Sequence, residues 1–185
     1  HLIDHDGLRY VYADATGPMA RYFSRNYRHF LWLEDAILIY DDVRAHRAGR
    51  IDWLLHFEGL AERQADGSIR IVHEGAGISV KPLFPTALDI THGEGLADHD
   101  PDRKVPYLIW STTDRVREAK FLTVILPMPT EAGGSLPEVV PTEGDEMIGA
   151  SIVSGGKRSD VYFNVRADGR VMHRNSIKTI AGWET

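Results

Sequence analysis

The sequence contains no cysteine, so neither a disulfide nor a thiolate metal site belongs to its chemistry. It also lacks any apolar run near the roughly 18 residues of a membrane-spanning helix, which predicts no membrane partner. Positive charge is not in excess, since the formal net charge is -6. Proteins that bind duplex nucleic acid are usually basic, so no nucleic acid is expected as a partner. An acidic total still leaves room for a local basic patch that binds an acidic glycan.

Several catalytic and cofactor-binding motifs are missing as well. The sequence has no Gly-rich nucleotide loop followed by Lys-Ser/Thr, no G-x-S-x-G, no H-E-x-x-H and no EF-hand loop. The paired H-x-H of a cupin metal site is absent too. We therefore predict no cofactor and no metal site from these residues.

What the sequence does contain is a stretch of strand-forming residues. Residues 25–33, 36–45 and 51–58 are rich in apolar and aromatic side chains without a helical period, so each segment is predicted to be a strand. Both faces of the first strand carry large apolar side chains, which indicates a strand in the middle of a sandwich. The basic segment 44–50, between the second and third strands, is predicted to be a solvated loop in preference to a binding site.

Short strand patterns separated by turns continue along the chain. About twelve strands, one pair joined by an Asp66-Gly67 hairpin turn, predict an all-β fold: a two-sheet antiparallel sandwich with little helix. The only helical element expected is a single turn at residues 19–24. Residues 92–104 and 130–146 are rich in Gly, Pro and acidic residues and are predicted to be loops, the second one mobile. The last strands are predicted at residues 147–154, 160–166, 171–174 and 176–180.

Two kinds of side chain in these strands suggest chemistry. His56 lies mid-strand, on the opposite face from its aromatic neighbours, so it either contacts a ligand or sits in the core with one hydrogen-bond partner. Asp41 and Asp42 form a carboxylate pair of the kind used in acid–base catalysis. Because neighbours in a strand point to opposite faces, the two cannot share a proton. A structural role is expected instead, with Arg28 or Arg44 as partner.

The order of several short motifs resembles the β-sandwich region of heparinase II/III-like polysaccharide lyases. The elements "aD…Y", "R-fl", "vv-D-v" and "W-LH" of that family have counterparts here at Asp14 and Tyr22, at residues 28–31, at residues 37–43 and at residues 53–56. The resemblance covers about residues 9–58, and the order and spacing of the motifs carry it more than any single motif.

The resemblance implies the C-terminal sandwich of an enzyme that cleaves acidic, uronate-containing polysaccharides by β-elimination. Such enzymes carry most of the active site on an N-terminal α/α toroid, against which the sandwich packs. Residues 1–185, 43% hydrophobic, are accordingly expected to be one sandwich domain of a longer chain that is periplasmic or secreted. The family's "H-A-D" segment is absent from this sequence, and any metal ion would belong to that upstream part of the sandwich.

The resemblance also implies roles for individual residues. Elimination needs a base for the C5 proton and an acid for the leaving oxygen, and His56, in the "W-LH" element, is implied to line the cleft as a catalytic group. Tyr27, Arg28 and Trp53 are candidates for substrate binding, although a structural role is the stronger expectation for Arg28. The chain alone is expected to lack the full catalytic set. The alternative is a non-catalytic carbohydrate-binding or structural sandwich.

Overall fold

The computed structural model describes residues 2–5, 8–97, 100–128, 135–166 and 177–178, and the regular elements in them are all β-strands. In chain order these are β1 (Leu2–His5), β2 (Leu8–Asp14), β3 (Phe23–Trp32), β4 (Ile37–Gly49), β5 (Asp52–His56), β6 (Leu60–Arg63), β7 (Ile69–His73), β8 (Ala76–Phe84), β9 (Leu88–Ala97), β10 (Asp100–Thr112), β11 (Val116–Pro127), β12 (Glu138–Gly144), β13 (Met147–Ser154), β14 (Lys157–Asn164) and β15 (Ile177–Lys178). The predicted all-β, antiparallel sandwich is confirmed.

The strands form three sheets. A central eight-stranded sheet has the order β1-β2-β3-β4-β11-β8-β7-β6. A three-stranded sheet, β5-β10-β9, and a four-stranded sheet, β14-β13-β12-β15, complete the structure. Every strand pairing in them is antiparallel. The structure thus adds a third layer to the sandwich that the sequence predicts.

The central sheet is the middle layer because side chains leave β4 alternately toward two separate cores. Leu38 and Tyr40 pack with β13 and β14 of the four-stranded sheet, whereas Ile39 and Val43 pack with β5 and β10 of the three-stranded sheet. A strand buried on both faces reads as a continuous apolar run, which is the pattern of β4. Leu31 and Phe30, neighbours in β3, likewise join opposite cores, as the two apolar faces of that strand predict.

Each core is dominated by side chains that are almost completely buried. The core under the four-stranded sheet includes Leu38, Tyr40, Leu83, Leu122, Val124, Ala150 and Phe163. The core under the three-stranded sheet includes Ile39, Trp53, Ile69, Val80, Leu108, Trp110 and Phe121. Trp53 and Trp110 stack there with ring centroids 4.6 Å apart. Burial of large aromatic and aliphatic groups on both sides is the main stabilising contribution to this fold.

The predicted hairpin turn at Asp66-Gly67 is confirmed. It joins β6 to β7, and Gly67 has a φ of +82°, a conformation that glycine adopts without steric cost. The Asp66 carboxylate accepts hydrogen bonds from both the backbone N–H and the hydroxyl of Ser68, at 3.1 and 2.7 Å. An Asp side chain that satisfies the backbone two residues later is what makes this dipeptide a turn former.

Three segments predicted to be loops contain strands. Residues 92–97 belong to β9 and residues 100–104 to β10, and Lys104 lies opposite Leu96. Within residues 130–146, β12 runs from Glu138 to Gly144 and pairs with β13. In both cases cross-strand pairing overrides a local content of Gly, Pro and acidic residues that disfavours strands. The helical turn expected at residues 19–24 is instead a set of hydrogen-bonded turns over residues 16–22, and β3 follows at Phe23.

The third correction concerns the basic segment 44–50. It was predicted to be a solvated loop, but β4 continues through it to Gly49. On one side the backbone N–H of His46 donates to the Tyr22 carbonyl at 2.9 Å, and on the other Gly49 lies opposite Val116 of β11. Neighbours on both sides therefore hold this segment extended.

The predicted strand at residues 171–174 lies outside the described residues. Of the predicted strand at residues 176–180, β15 is described and pairs with the end of β12. In the part of the chain that the structure describes, no helix is long and apolar enough to span a membrane.

Candidate functional site

Three strands meet at the carboxylate of Asp41. Arg28, from β3, donates through Nε to Oδ1 at 2.6 Å and through Nη2 to Oδ2 at 3.2 Å. Trp53, from β5, donates its indole N–H to Oδ2 at 2.9 Å. Burial raises the pKa of Asp41, and the bonds from Arg28 and Trp53 partly offset that rise. The predicted pairing of Asp41 with Arg28 is confirmed. The hydrogen bond from Trp53 to the same carboxylate joins the central sheet to the three-stranded sheet.

Asp42 lies on the opposite face, as the alternation of strand residues predicts. It is 1% exposed, and its Oδ1 is 2.6 Å from Lys120 Nζ and 3.0 Å from Arg25 Nη2. Arg25 Nη2 is also 3.9 Å from the more exposed carboxylate of Glu118, so Asp42 is the close partner of both cations. Arg44 pairs with Glu118 at 2.9 Å and with neither aspartate.

A cavity of about 720 Å3 opens beside Asp42, between the central sheet and β14. Five tyrosines and one histidine line it. Tyr162 comes from β14, whereas the other four tyrosines and the histidine come from three neighbouring strands of the central sheet. These residues are Tyr10 and Tyr12 of β2, Tyr27 and His29 of β3, and Tyr40 of β4. Phe163 and Asn164 of β14 form the opposite wall. Cross-strand register produces the cluster, because Tyr12 lies opposite His29, which in turn lies opposite Tyr40.

His29 is at the centre of this cavity. Its Nδ1 is 2.6 Å from the Tyr10 hydroxyl, and its ring centroid is 5.0 Å from that of Tyr12 and 5.2 Å from that of Tyr40. Burial lowers the pKa of His29, and the charge of Asp42 opposes that change. The imidazole is therefore neutral near neutral pH, and its tautomer decides whether Nδ1 or the Tyr10 hydroxyl is the donor of their shared hydrogen bond.

Three phenols of this cavity, those of Tyr10, Tyr12 and Tyr40, stay protonated near neutral pH. Burial raises the pKa values of Tyr10 and Tyr40, and burial together with the neighbouring Tyr27 and Asp14 raises the pKa of Tyr12 to about 12. Neutral phenols and a neutral imidazole offer hydrogen-bond donors and acceptors beside aromatic faces. Such a lining suits an uncharged polar group with an apolar side, for instance a sugar ring.

The residues predicted to form a site do not come together in one place. His56 ends β5 with its side chain exposed, on the outer face of the three-stranded sheet, and contacts Tyr107 of β10 edge-to-face at 6.1 Å between centroids. Trp53 points from β5 to the opposite face, into the core, and is 2% exposed. Arg28 lies beside it, with a side chain that is 38% exposed. Tyr27 lies on the other side of the central sheet, in the tyrosine cavity.

The tyrosine cavity was not predicted from the sequence, although a signal for it exists. No single segment of the sequence marks out His29, Tyr10, Tyr12 or Tyr40 as members of one site. All of them share one parity within their strands once β2, β3 and β4 are aligned as consecutive hairpins. Register was the missing information, because a one-residue slip would place the same side chains on the other face. Among the described residues, no three His, Asp or Glu side chains are arranged to hold a metal ion.

No protein-family model matches the sequence, and no curated protein sequence does either. Solved structures do match. A crystal structure of the heparan sulfate lyase HepC from Pedobacter heparinus is similar to this chain with a TM-score of 0.67 at 12% identity, over 89% of this chain and 27% of that one. A heparinase III gene product gives 0.67 at 11% identity, and a heparinase III crystal structure 0.66 at 12%, with the same coverage.

At such identities the likeness shows the fold. The chain spans about a quarter of the length of these structures, 27% in each case. This chain therefore shares its three-sheet antiparallel fold with part of the heparinase III structures, which relates it structurally to heparinase-like lyases.

Proposed function

We propose that this chain is the sandwich part of a lyase that cleaves acidic, uronate-containing polysaccharides by β-elimination. The observation that carries the proposal is the likeness to heparan sulfate lyase and heparinase III structures over 89% of the chain. The order of the motifs over residues 9–58 supports the proposal independently of the fold. Arg28, Asp41 and Trp53, which belong to three of those motifs, form one hydrogen-bonded network. The network gives these motif residues a shared structural role.

The proposal includes a larger parent protein. Since the chain matches only 27% of each lyase, an additional domain, which we propose to be an α/α toroid, would supply most of the catalytic groups. We also propose that the protein is periplasmic or secreted, where long acidic polysaccharides are encountered. Within this chain His56 is the proposed contributor to the cleft.

His56 suits that role because its imidazole is exposed and held on a rigid strand. Outward-facing side chains of β5 and β10 surround it, with Tyr107 directly opposite in register. Imidazole and phenol are both competent acid–base groups for the removal of the C5 proton and the protonation of the leaving oxygen. Because the group lies on a sheet and not on a loop, a neighbouring domain would meet it in a fixed position.

The first test is absorbance of the unsaturated uronate that β-elimination produces. The full-length protein and this chain alone are incubated with heparin, heparan sulfate, alginate and hyaluronan. We expect absorbance to rise with the full-length protein on at least one polymer and not with the chain alone. No rise on any polymer would contradict the lyase proposal and favour the non-catalytic binding or structural sandwich.

The second test substitutes His56→Ala in the full-length protein. Loss of a general acid or base lowers turnover by about 100-fold or more. His92→Ala is the matched control, because His92 is also exposed on the three-stranded sheet but lies on β9, opposite the core residue Leu108 and thus on the other face from His56. Normal turnover of a normally folded His56→Ala protein would remove His56 from the mechanism while leaving the lyase proposal intact.

A further inference from the structure

A second cavity lies at the far end of β4, where this strand meets the turns of residues 16–22. It has a volume of about 720 Å3, and the titratable side chains that line it are Arg21, Tyr22, His46, Arg47 and Arg50. No carboxylate lines it, although the chain as a whole has a net charge of -6. Positive charge is thus concentrated at one concave place on an acidic molecule, a distribution that attracts anions. We call this cavity the basic groove.

The backbone of the basic groove is irregular on both sides. Register shifts occur between Phe23 and Arg25 on β3 and between Val116 and Glu118 on β11, and both face the same part of β4. Bulges are enriched beside functional sites, because they redirect side chains that a regular strand would alternate between two faces. Here Arg44, His46, Arg47 and Ala48 are all exposed within one short run of β4.

The cations of the groove are not all neutralised. Arg50 pairs with Asp89, which lies outside the groove. For Arg21 and Arg47, by contrast, the described part of the chain supplies no carboxylate within ion-pair distance, and both side chains are exposed. Two guanidinium groups that line one groove without a carboxylate partner among the described residues can bind sulfate or carboxylate oxygens with paired N–H donors.

The groove also presents an aromatic face. Tyr22 is 57% exposed, and the Arg21 guanidinium lies 5.6 Å from the centre of its ring. His46 is fixed beside it, because its Nε2 donates to the Ala20 carbonyl at 2.9 Å. That hydrogen bond leaves Nδ1 of His46 available to a ligand. An exposed aromatic ring beside a cation is suited to an anionic ligand with an apolar face.

We propose that the basic groove binds an anionic saccharide, with its sulfate or carboxylate groups on Arg21 and Arg47 and a sugar ring against Tyr22. The saccharide nature of the ligand rests on the proposed function, whereas the anionic character follows from the groove itself. The groove would then hold the polysaccharide at a place separate from His56, since no residue of β5 lines it.

The test measures the Kd of the full-length protein for a heparin oligosaccharide of defined length by titration calorimetry. Its unsulfated, carboxylate-only counterpart separates the contribution of sulfate, and a neutral oligosaccharide and a short DNA duplex serve as further ligands. We expect Arg21→Gln/Arg47→Gln to weaken oligosaccharide binding about tenfold or more, because two charge-assisted contacts are lost. The matched control is Arg63→Gln/Arg70→Gln, which removes equal charge from exposed positions on β6 and β7 and should change Kd less than twofold.

Tyr22→Ala tests the aromatic contact separately. We expect it to weaken the oligosaccharide and to leave competition by inorganic sulfate unchanged, since sulfate has no apolar face. Thermal unfolding checks that each variant is folded, and exposed positions such as these seldom affect stability strongly.

The proposal is overturned if the groove variant and the control variant weaken binding equally. It is also overturned if the DNA duplex binds as tightly as the oligosaccharide and loses as much on substitution, since the groove would then be a general polyanion surface. Measuring the absorbance of unsaturated uronate with the same proteins distinguishes the groove proposal from the proposed lyase function. Groove-dependent binding without lyase activity refutes only the proposed function, and lyase activity with unchanged Kd in the groove variant refutes only the groove.

Discussion

The two faces of the central sheet bury neighbouring aspartates in different ways. On the face toward the three-stranded sheet, Asp41 binds one guanidinium and one indole N–H beside the stacked Trp53 and Trp110. On the face toward the four-stranded sheet, Asp42 lies between two cations at the edge of the tyrosine cavity. One face is closed and holds sheets together, whereas the other is partly open and carries polar aromatic groups.

The comparison shows that the cost of removing a buried carboxylate depends on how exposed its cationic partners are. Arg28 is 38% exposed and remains hydrated if Asp41 is neutralised, whereas Arg25 and Lys120, at 16% and 22%, are mostly buried. A buried charge that loses its counter-charge is expensive, and an exposed one is not. The two faces should therefore respond unequally to the same substitution.

The largest expected effect is that of Asp42→Asn. It leaves the mostly buried Lys120 without a carboxylate and Arg25 with only its longer ion pair to Glu118, at 3.9 Å. Breaking buried pairs in this way costs about 3 kcal/mol or more of the free energy of unfolding. Asp41→Asn should cost about 1–2 kcal/mol, because the amide oxygen still accepts the bond from Trp53 and Arg28 is hydrated. Urea denaturation of both variants at neutral pH checks the order, and equal losses would remove the distinction between the faces.

A smaller effect separates the two tryptophans of the closed face. Trp53→Phe removes the indole donor to Asp41, and a hydrogen bond to a charged group contributes about 1.5–3 kcal/mol. The indole N–H of Trp110 has no hydrogen-bond partner among the described residues, so Trp110→Phe loses packing volume only. It should cost about 1.5–3 kcal/mol less than Trp53→Phe, which loses the same volume and the hydrogen bond as well. The same denaturation experiment measures both, and a larger loss for Trp110→Phe would contradict the assigned role of the network.

The smallest effect concerns the open face and depends on pH. The pKa of His29 is lowered in the folded state, so the unfolded chain binds the proton more readily. Stability should fall as pH drops below about 6.5 toward the folded pKa, by at most about 1.4 kcal/mol per pH unit. His29→Gln should flatten this part of the pH profile, and His73→Gln, at a half-exposed position on β7, should not. An unchanged profile in His29→Gln would mean that another group titrates there.

Much of this arrangement could be predicted from local patterns. The alternation in β3 and β4 correctly indicated a strand buried on both faces and placed Asp41 and Asp42 on opposite sides. Asp66-Gly67 was recognised because its turn chemistry is contained in the dipeptide. These features depend on residues that are adjacent in the chain.

Features that depend on pairing were missed. The continuation of β4 through residues 44–49 is imposed by β3 and β11, and the strand at β12 by β13. The basic groove is formed by the turns before β3 and the end of β4, so neither segment reveals it alone. The third sheet could not be foreseen either, because a strand pattern does not show how many sheets cover it.

The alternation of β4 also has an evolutionary consequence. Insertion of one residue before Asp41 would exchange the faces of Asp41 and Asp42, leaving each opposite the other's partners. Single-residue insertions or deletions in the first half of this strand should therefore prevent folding. Beyond Arg44 the pairing of β4 with both neighbouring strands already contains register shifts. We therefore expect the outer half of β4 to tolerate insertions, deletions and changes of binding specificity.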